Sequence, residues 1–342
     1  MKVIIPIAGV GTRLRPLTLT KHKSLLLVAG KPGLDYILDE LKNLKGLHGQ
    51  EVSEIIFITG YLKEQIEEHV TKNYPEFKFR FIEQKIRNGT AGAVQLAEPY
   101  IDEPFFLVYA DAVYEADLSI IKKLKDSEAG FIWTQDREDW QRLGVCILDD
   151  QGYLKKIVEK PKEFLSTKLS SIGVYYVKDY KLLFEGIRYV FDNNITIKGE
   201  YYVVDAFAYM IEKKGAKFKC PKLKCWYDFG TVESMFETNK VFLKKGRHKV
   251  IPTENTIIKP PVNIADGAKI KNSTIGPYVT IAKGVEIANS VVKNSIIDER
   301  TKITDAFVRD SLIGMDTDIK GKFQMLNAGD YSVLVGGKYK KK

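Results

Sequence analysis

The chain reads as an α/β protein: a Rossmann-like mixed, mostly parallel sheet, followed by a short left-handed parallel β-helix. Three observations predict this. Up to about residue 245, short β-branched runs alternate with amphipathic helical stretches, the pattern of an open α/β sheet. Between residues 131 and 177 the strand-like segments have no helices between them, which adds an antiparallel insertion. Beyond Pro252 aliphatic residues recur every six positions among Gly, Asn, Asp and Ser.

In chain order, Lys2–Ile7 is a first buried strand and Gly33–Leu44 an amphipathic helix. Glu54–Thr59 and Lys63–Asn73 repeat the pair, and a helical Ala91–Pro99 precedes the apolar strand Phe105–Tyr109. Such a sheet presents its ligands beyond the carboxyl ends of the strands. Phe131–Thr134, Gly144–Leu148, Tyr153–Val158 and Ser170–Val177 are the candidate antiparallel strands, placed beside those strand ends.

The hexads follow. Ile264 and Ile270, Ile275 and Ile281, Ile281 and Ile287, Ile297 and Ile303, and Ile313 and Ile319 are each six apart. Each hexad supplies one face of a coil, and roughly 18 residues per turn predicts about three to four coils. Five-residue steps such as Ile270 to Ile275 interrupt the rhythm. An ordinary β-sandwich is the competing reading. The domain division is 1–245 for the α/β part, 246–335 for the β-helix and 336–342 for a basic tail.

With 342 residues, 44% hydrophobic and 28% charged, the chain has the make-up of an ordinary soluble protein of two domains. No apolar run approaches the roughly 20 residues of a membrane helix, so no membrane partner is expected. The start, MKVIIPIAG, lacks a cleavage site. Cys146, Cys220 and Cys225 are odd in number and lack metal spacing, which fits a reducing cytoplasm. Part of the net charge of +9 sits in Lys338, Lys340, Lys341 and Lys342. Without a basic stripe interleaved with aromatics, the remainder points to small phosphorylated ligands rather than nucleic acid.

The strongest chemical signal is PIAGVGTRLRPLTLTKHKSLLLVAGKP, residues 6–32. Gly9 and Gly11 let backbone N–H groups approach an anion, and Arg13 adds a planar fork for phosphate oxygens. Leu14 stands where a dinucleotide fold wants a third glycine, and no Gly-Lys-Ser/Thr closes the loop. A dehydrogenase and a P-loop ATPase are both disfavoured.

AGVGTRLRPLT, a following lysine and VAGKP resemble the sugar-1-phosphate nucleotidylyltransferases, the NDP-sugar pyrophosphorylases. NGTAGAV, YADAV, EKP, SIGVYYV, GEYYVVDA and CWYDFGTVESM follow in the family's order. Among its members the chain is similar to glucose-1-phosphate thymidylyl- and uridylyltransferases and to mannose-1-phosphate guanylyltransferases.

The resemblance implies roles. Gly9, Gly11, Thr12 and Arg13 hold the triphosphate, and Lys23 neutralises charge around the α-phosphate. That lysine usually lies between prolines, whereas this chain has His22-Lys23-Ser24, which loses their stiffness. Asp111, which ends FFLVYAD, and Asp228 are the implied ligands of Mg²⁺ shared with phosphate oxygens. Glu159 accepts sugar hydroxyl hydrogens and Lys160 pairs with the sugar's phosphate. Gly144 and Gly173 let the backbone approach the ring, and Glu200 either contacts the sugar or is an exposed carboxylate at a helix start.

Gln84, Gly89 and Thr90 lie where the family reads the base. A carboxamide offers a donor and an acceptor, matching the edge of uracil or thymine, whereas guanine prefers a carboxylate. The chain therefore leans to UTP or dTTP, with glucose-1-phosphate as default acceptor. Glu83 is adjacent to Gln84, so a one-residue slip would favour GTP and mannose-1-phosphate. The expected partners are the two substrates and further copies of the chain, joined through the β-helix. Two rival readings remain: a catalytically weak regulatory protein that binds an NDP-sugar, and a β-helix with acyltransferase activity. The second generally wants a histidine base, and His22, His48, His69 and His248 all lie outside the hexads.

Overall fold

A computed structural model describes residues 1–43, 51–223, 225–324 and 326–336. His48 and the tail lysines of 338–342 lie outside the described residues. The described residues fall into two compact units: Met1–Gly9, Ile37–Ala110 and Tyr114–Trp226 in one, Val10–Tyr36, Asp111–Val113 and Tyr227 onward in the other.

The first unit is built on a mixed sheet. Its order is Leu154–Glu159, Gly144–Leu148, Leu169–Val177, Phe105–Val108, Lys2–Pro6, Glu54–Thr59 and Phe79–Glu83. The last four pair in parallel, and Leu169–Val177 runs antiparallel to Phe105–Val108, Gly130–Asp136 and Gly144–Leu148. This is the expected parallel sheet with its antiparallel insertion. Central strands such as Val3, Ile4 and Ile5 and Phe105–Val108 are wholly buried, as strands covered on both faces must be. The helices Thr90–Gln95, Tyr180–Asp192 and Val203–Glu212 place Val94, Leu183, Ile187, Phe207 and Met210 in one core with Ile4, Ile56 and Leu107. The expected helix at 91–99 ends early, at Gln95, and a 3-10 turn over Glu98–Tyr100 takes in Pro99.

In the second unit the hexads form parallel strands stacked into a β-helix. One face carries five rungs, from Val262–Ile264 through Val279–Ile281, Ile296–Ile297 and Leu312–Ile313 to Asn327–Ala328. Their register advances by 17, 16, 16 and 15 residues, less than the 18 expected, so the same sequence makes more coils. The cause lies at the corners. Asn272, Asn289 and Asp305 adopt left-handed φ of 49°, 51° and 51°, turning the chain on one residue. The step between inward aliphatics then shrinks to five, as from Ile270 to Ile275. The same corner is tied along the stack, Asn255 donating to Asn272, Asn272 to Asn289 and Asn289 to Asp305, at 2.9, 3.3 and 3.0 Å.

From Val10 onward the glycine loop belongs to this second unit and leans on the β-helix. Leu14, Leu17, Leu26 and Val28 share a core with Ile296 and Leu312. Lys21 Nζ lies 2.6 Å from Asp298 Oδ2, Thr20 Oγ1 donates to Asp330 at 2.7 Å, and Asn327 Nδ2 donates to the Arg15 carbonyl at 3.0 Å.

Candidate active site

In the second unit the glycine loop turns at Gly11, whose φ of 68° leads into the 3-10 turn Thr12–Leu14. A side chain at Gly11 would meet Lys23 Cβ at 3.0 Å, so this glycine admits the lysine. Thr12 and Arg13 are exposed. His22 is buried and its Nδ1 accepts from the Ser24 N–H at 3.2 Å, capping the turn Lys23–Leu25. A side-chain cap thus fixes the turn at Lys23 without a proline.

From that turn Lys23 Nζ reaches within 3.6 Å of Asp111 Oδ2. Phe229 N–H donates to the Asp111 carbonyl at 3.2 Å, which brings the residue after Asp228 alongside Asp111. Asp228 Oδ1 accepts from the Gly230 N–H at 2.7 Å. A Cβ at Gly230 would lie 3.0 Å from Asp228 Oδ1 and 3.3 Å from an Arg13 nitrogen, so Arg13 and Asp228 flank the same bare backbone. Arg13, Lys23, Asp111 and Asp228, drawn from three stretches of sequence, therefore form one cluster of two cations and two carboxylates.

Gly9 lies in the first unit, exposed just past the first strand. That unit holds a second cluster. Glu159 ends the strand Leu154–Glu159, and Lys160 follows with a left-handed φ of 45° and its N–H bonded to the Leu143 carbonyl at 2.9 Å. Lys160 Nζ lies 3.6 Å from Glu159 Oε1 and donates to the Tyr202 hydroxyl at 2.7 Å. Tyr202 in turn donates to Glu200 Oε2 at 2.6 Å. Gly144 sits over the carboxylate: a Cβ there would lie 3.3 Å from Glu159 Oε2 and 2.8 Å from Ser171 Oγ. Gly173, at φ 80°, leaves the Tyr109 side chain the space a Cβ would take.

Burial dominates the electrostatics here. It pushes the Glu159 carboxyl up to about 7, against the opposing pull of Lys160 and with a further push from Asp205. Burial also raises Asp205 to about 6, and its Oδ2 has no hydrogen-bond partner among the described residues. The Tyr202 phenol is raised well above its ordinary range by burial and then by Glu200, so it stays protonated.

The same unit carries the 84–90 segment. Gln84 is buried and its Nε2 donates to the Gly89 carbonyl at 3.1 Å and to Asn88 Oδ1 at 3.3 Å. Glu83 is exposed and paired with Lys63 at 2.6 Å. Gly89 has φ 107°, and a Cβ there would fall 2.2 Å from the Tyr201 carbonyl oxygen. Thr90 Oγ1 accepts from the Val203 N–H at 3.0 Å.

Tyr202 and Asp205 were missed by sequence reasoning. The signal was present in GEYYVVDA, where a second Tyr precedes a helix, but only coordinates show which tyrosine meets Lys160.

A mixed α/β sheet with a glycine loop that gathers cations and aspartates fits the class of the nucleotidyl transferases. The chain belongs to that family: the pattern of the family, NTP_transferase, matches residues 2–245. It is 34% identical over 271 residues to the bifunctional protein GlmU of Methanocaldococcus jannaschii, covering 78% of this chain and 61% of that one. It therefore spans about three fifths of that relative's length. It is 31% identical over 245 residues to the UTP–glucose-1-phosphate uridylyltransferase AglF of Haloferax volcanii, covering 70% of this chain and 96% of that one. A glucose-1-phosphate thymidylyltransferase of Streptomyces antibioticus is 27% identical, covering 80% of this chain and 75% of its own. A UDP-glucose pyrophosphorylase solved with UDP-glucose shares the fold, with a TM-score of 0.58 at 24% identity, over 71% of this chain and 98% of that one.

Proposed function

We propose that the chain is a Mg²⁺-dependent sugar-1-phosphate nucleotidylyltransferase. It transfers a nucleoside monophosphate from UTP or dTTP to a sugar-1-phosphate, by default glucose-1-phosphate, and releases pyrophosphate. The observation that carries this reading is the cluster at the glycine loop, with Lys23 3.6 Å from Asp111 and Arg13 and Asp228 beside Gly230. Two cations from a glycine loop beside two carboxylates able to hold Mg²⁺ suit a polyphosphate. The named activities of the Haloferax and Streptomyces relatives agree with it.

The reaction needs no side-chain nucleophile. An ionised oxygen of the sugar phosphate attacks the α-phosphorus in line with departing pyrophosphate, so catalysis is positioning and charge neutralisation. Arg13 holds the departing pyrophosphate, and Lys23 offsets charge at the α-phosphate. Gly9, Gly11 and Thr12 supply backbone donors. Lys160 binds the sugar's phosphate, Glu159 accepts a sugar hydroxyl hydrogen, and Gly144 and Gly173 keep the approach clear.

Asp111 and Asp228 suit Mg²⁺. Among the described residues no group of three or more His, Cys, Asp or Glu could cage a metal, and Mg²⁺ needs none. It is held by one or two carboxylates with waters and substrate phosphates. When bound, it neutralises charge on phosphate oxygens.

Glu83 is tied to Lys63 at 2.6 Å and the amide hydrogens of Gln84 go to Gly89 and Asn88, so neither side chain offers guanine a free carboxylate, which supports a pyrimidine base over guanine. The capped turn at Lys23 supports a working enzyme over a regulatory homologue. We assign residues 1–245 to catalysis and 246–335 to the β-helix, with a cytoplasmic setting and self-association through the β-helix. No helix among the described residues is long and apolar enough to cross a membrane.

The test is a matrix of nucleoside triphosphates against sugar-1-phosphates with Mg²⁺, scored by pyrophosphate release. The expected maximum is UTP or dTTP with glucose-1-phosphate. Release from no pair at all refutes the reading.

A further inference from the structure

Lys160 and Glu159 are sequence neighbours of opposite charge, yet they stop at 3.6 Å, outside good hydrogen-bond range. Tyr202 accounts for the gap. Its hydroxyl accepts from Lys160 Nζ at 2.7 Å, and its ring centroid lies 4.0 Å from the same nitrogen. The ammonium is therefore held by a hydrogen bond and a ring face together. The hydroxyl's own hydrogen goes to Glu200 Oε2 at 2.6 Å, which leaves its lone pairs to face the lysine.

The tyrosine is itself fixed. It is the N-cap of the helix Val203–Glu212, in extended backbone conformation. Its neighbours are tied to the 84–90 segment: Tyr201 N–H donates to the Asn88 carbonyl at 2.8 Å and Val203 N–H to Thr90 Oγ1 at 3.0 Å. At the other end, the left-handed backbone of Lys160 and its bond to Leu143 set the direction in which the lysine leaves the chain.

We propose that Tyr202 is a positioning residue that holds the Lys160 ammonium away from Glu159, so that the two neighbours serve different parts of the sugar phosphate. An ammonium has three donors. One is taken by Tyr202, and the others stay available for the phosphate instead of closing on the carboxylate. Glu159 is correspondingly kept for a sugar hydroxyl. The proposal rests on the sugar-1-phosphate reading of this cluster. In a Tyr202→Phe protein the ring contact survives and the hydroxyl is gone. Lys160 then swings onto Glu159, and each residue quenches the other.

The test compares the full-length wild type with Tyr202→Phe in pyrophosphate release from UTP and glucose-1-phosphate. The expected result is a KM for glucose-1-phosphate raised about fivefold, the worth of one hydrogen bond, with the KM for UTP unchanged. Equal effects on both substrates, or none on either, overturn the proposal. A second measurement needs no substrate: the Glu159 carboxyl is titrated by NMR in ¹³C-Glu-labelled protein. The titratable groups that face it are Lys160, Asp205 and the neutral Tyr202 phenol. In Tyr202→Phe the closer ammonium must lower its pKa, and an unmoved or raised value refutes the positioning role. If wild type turns over no sugar-1-phosphate while that titration still falls, the functional reading fails and the role of Tyr202 stands.

Discussion

Replacing Glu159 by Gln should stabilise the protein at alkaline pH and leave it nearly unchanged in acid. The carboxyl is 9% exposed, and burial raises it from an ordinary 4.5 to about 7. At about 1.4 kcal/mol for each tenfold change in proton affinity, ionising it in the folded chain costs roughly 3 kcal/mol more than in the unfolded one. The sign follows from the direction of the shift. Because the folded state binds this proton more tightly, the stability it contributes is complete below pH 4.5 and is lost as pH rises through about 7. Glutamine has nearly the same shape and cannot ionise. Wild type and Glu159→Gln should therefore match near pH 4.5, diverge between 4.5 and 7, and differ by about 3 kcal/mol at pH 8 in favour of the variant. Urea unfolding at a series of pH values, followed by tryptophan fluorescence, measures this. A difference that does not change with pH, or a variant less stable than wild type at pH 8, refutes the reasoning. The same variant should bind sugar phosphate poorly, since a carboxamide accepts a hydroxyl hydrogen less strongly than a carboxylate.

Other consequences are open to measurement. Chelation by EDTA should abolish pyrophosphate release, and added Mg²⁺ should restore it. Persistence of full activity in chelator counts against Asp111 and Asp228 as its ligands. Asp298→Ala strands Lys21 against the β-helix and should lower stability by roughly 3 kcal/mol, the low end for a broken buried pair. It should also raise the KM for the triphosphate, because the loop bearing Arg13 and Lys23 rests there. A variant with wild-type unfolding and kinetics removes the β-helix as a support for that loop. Gln84→Glu should shift the ratio of kcat/KM values from UTP towards GTP, and an unchanged ratio places base reading elsewhere.

Much of the architecture was legible because burial imposes periodicity. The alternation of strand and helix in the first half and the six-residue aliphatic rhythm in the second both survive as the sheet and the β-helix. The coil length was not legible. The corners at Asn272, Asn289 and Asp305 each turn on one left-handed residue, and φ is invisible to a count of isoleucines. The candidate site divides in the same way. Gly11 and Arg13 could be nominated from the glycine loop itself, and Lys23, Asp111 and Asp228 through the resemblance of their motifs to the family. Tyr202 and His22 could not, because each acts by holding a lysine or a turn, and such partners depend on tertiary distance. The loss of prolines around Lys23 suggested a loose loop, and the buried cap from His22 to Ser24 shows how another residue type supplies the constraint.

In the proposed reaction Lys23 serves the triphosphate and Lys160 the sugar phosphate. Steady-state pyrophosphate release by Lys23→Ala and Lys160→Ala, each confirmed as folded, tests it most directly. The expected kcat of Lys23→Ala is lowered at least ~10²-fold, the scale of one preorganised electrostatic contact. For Lys160→Ala the expected loss is concentrated in kcat/KM for the sugar phosphate. Near-normal kcat in Lys23→Ala, or an unchanged kcat/KM for the sugar phosphate in Lys160→Ala, contradicts this assignment.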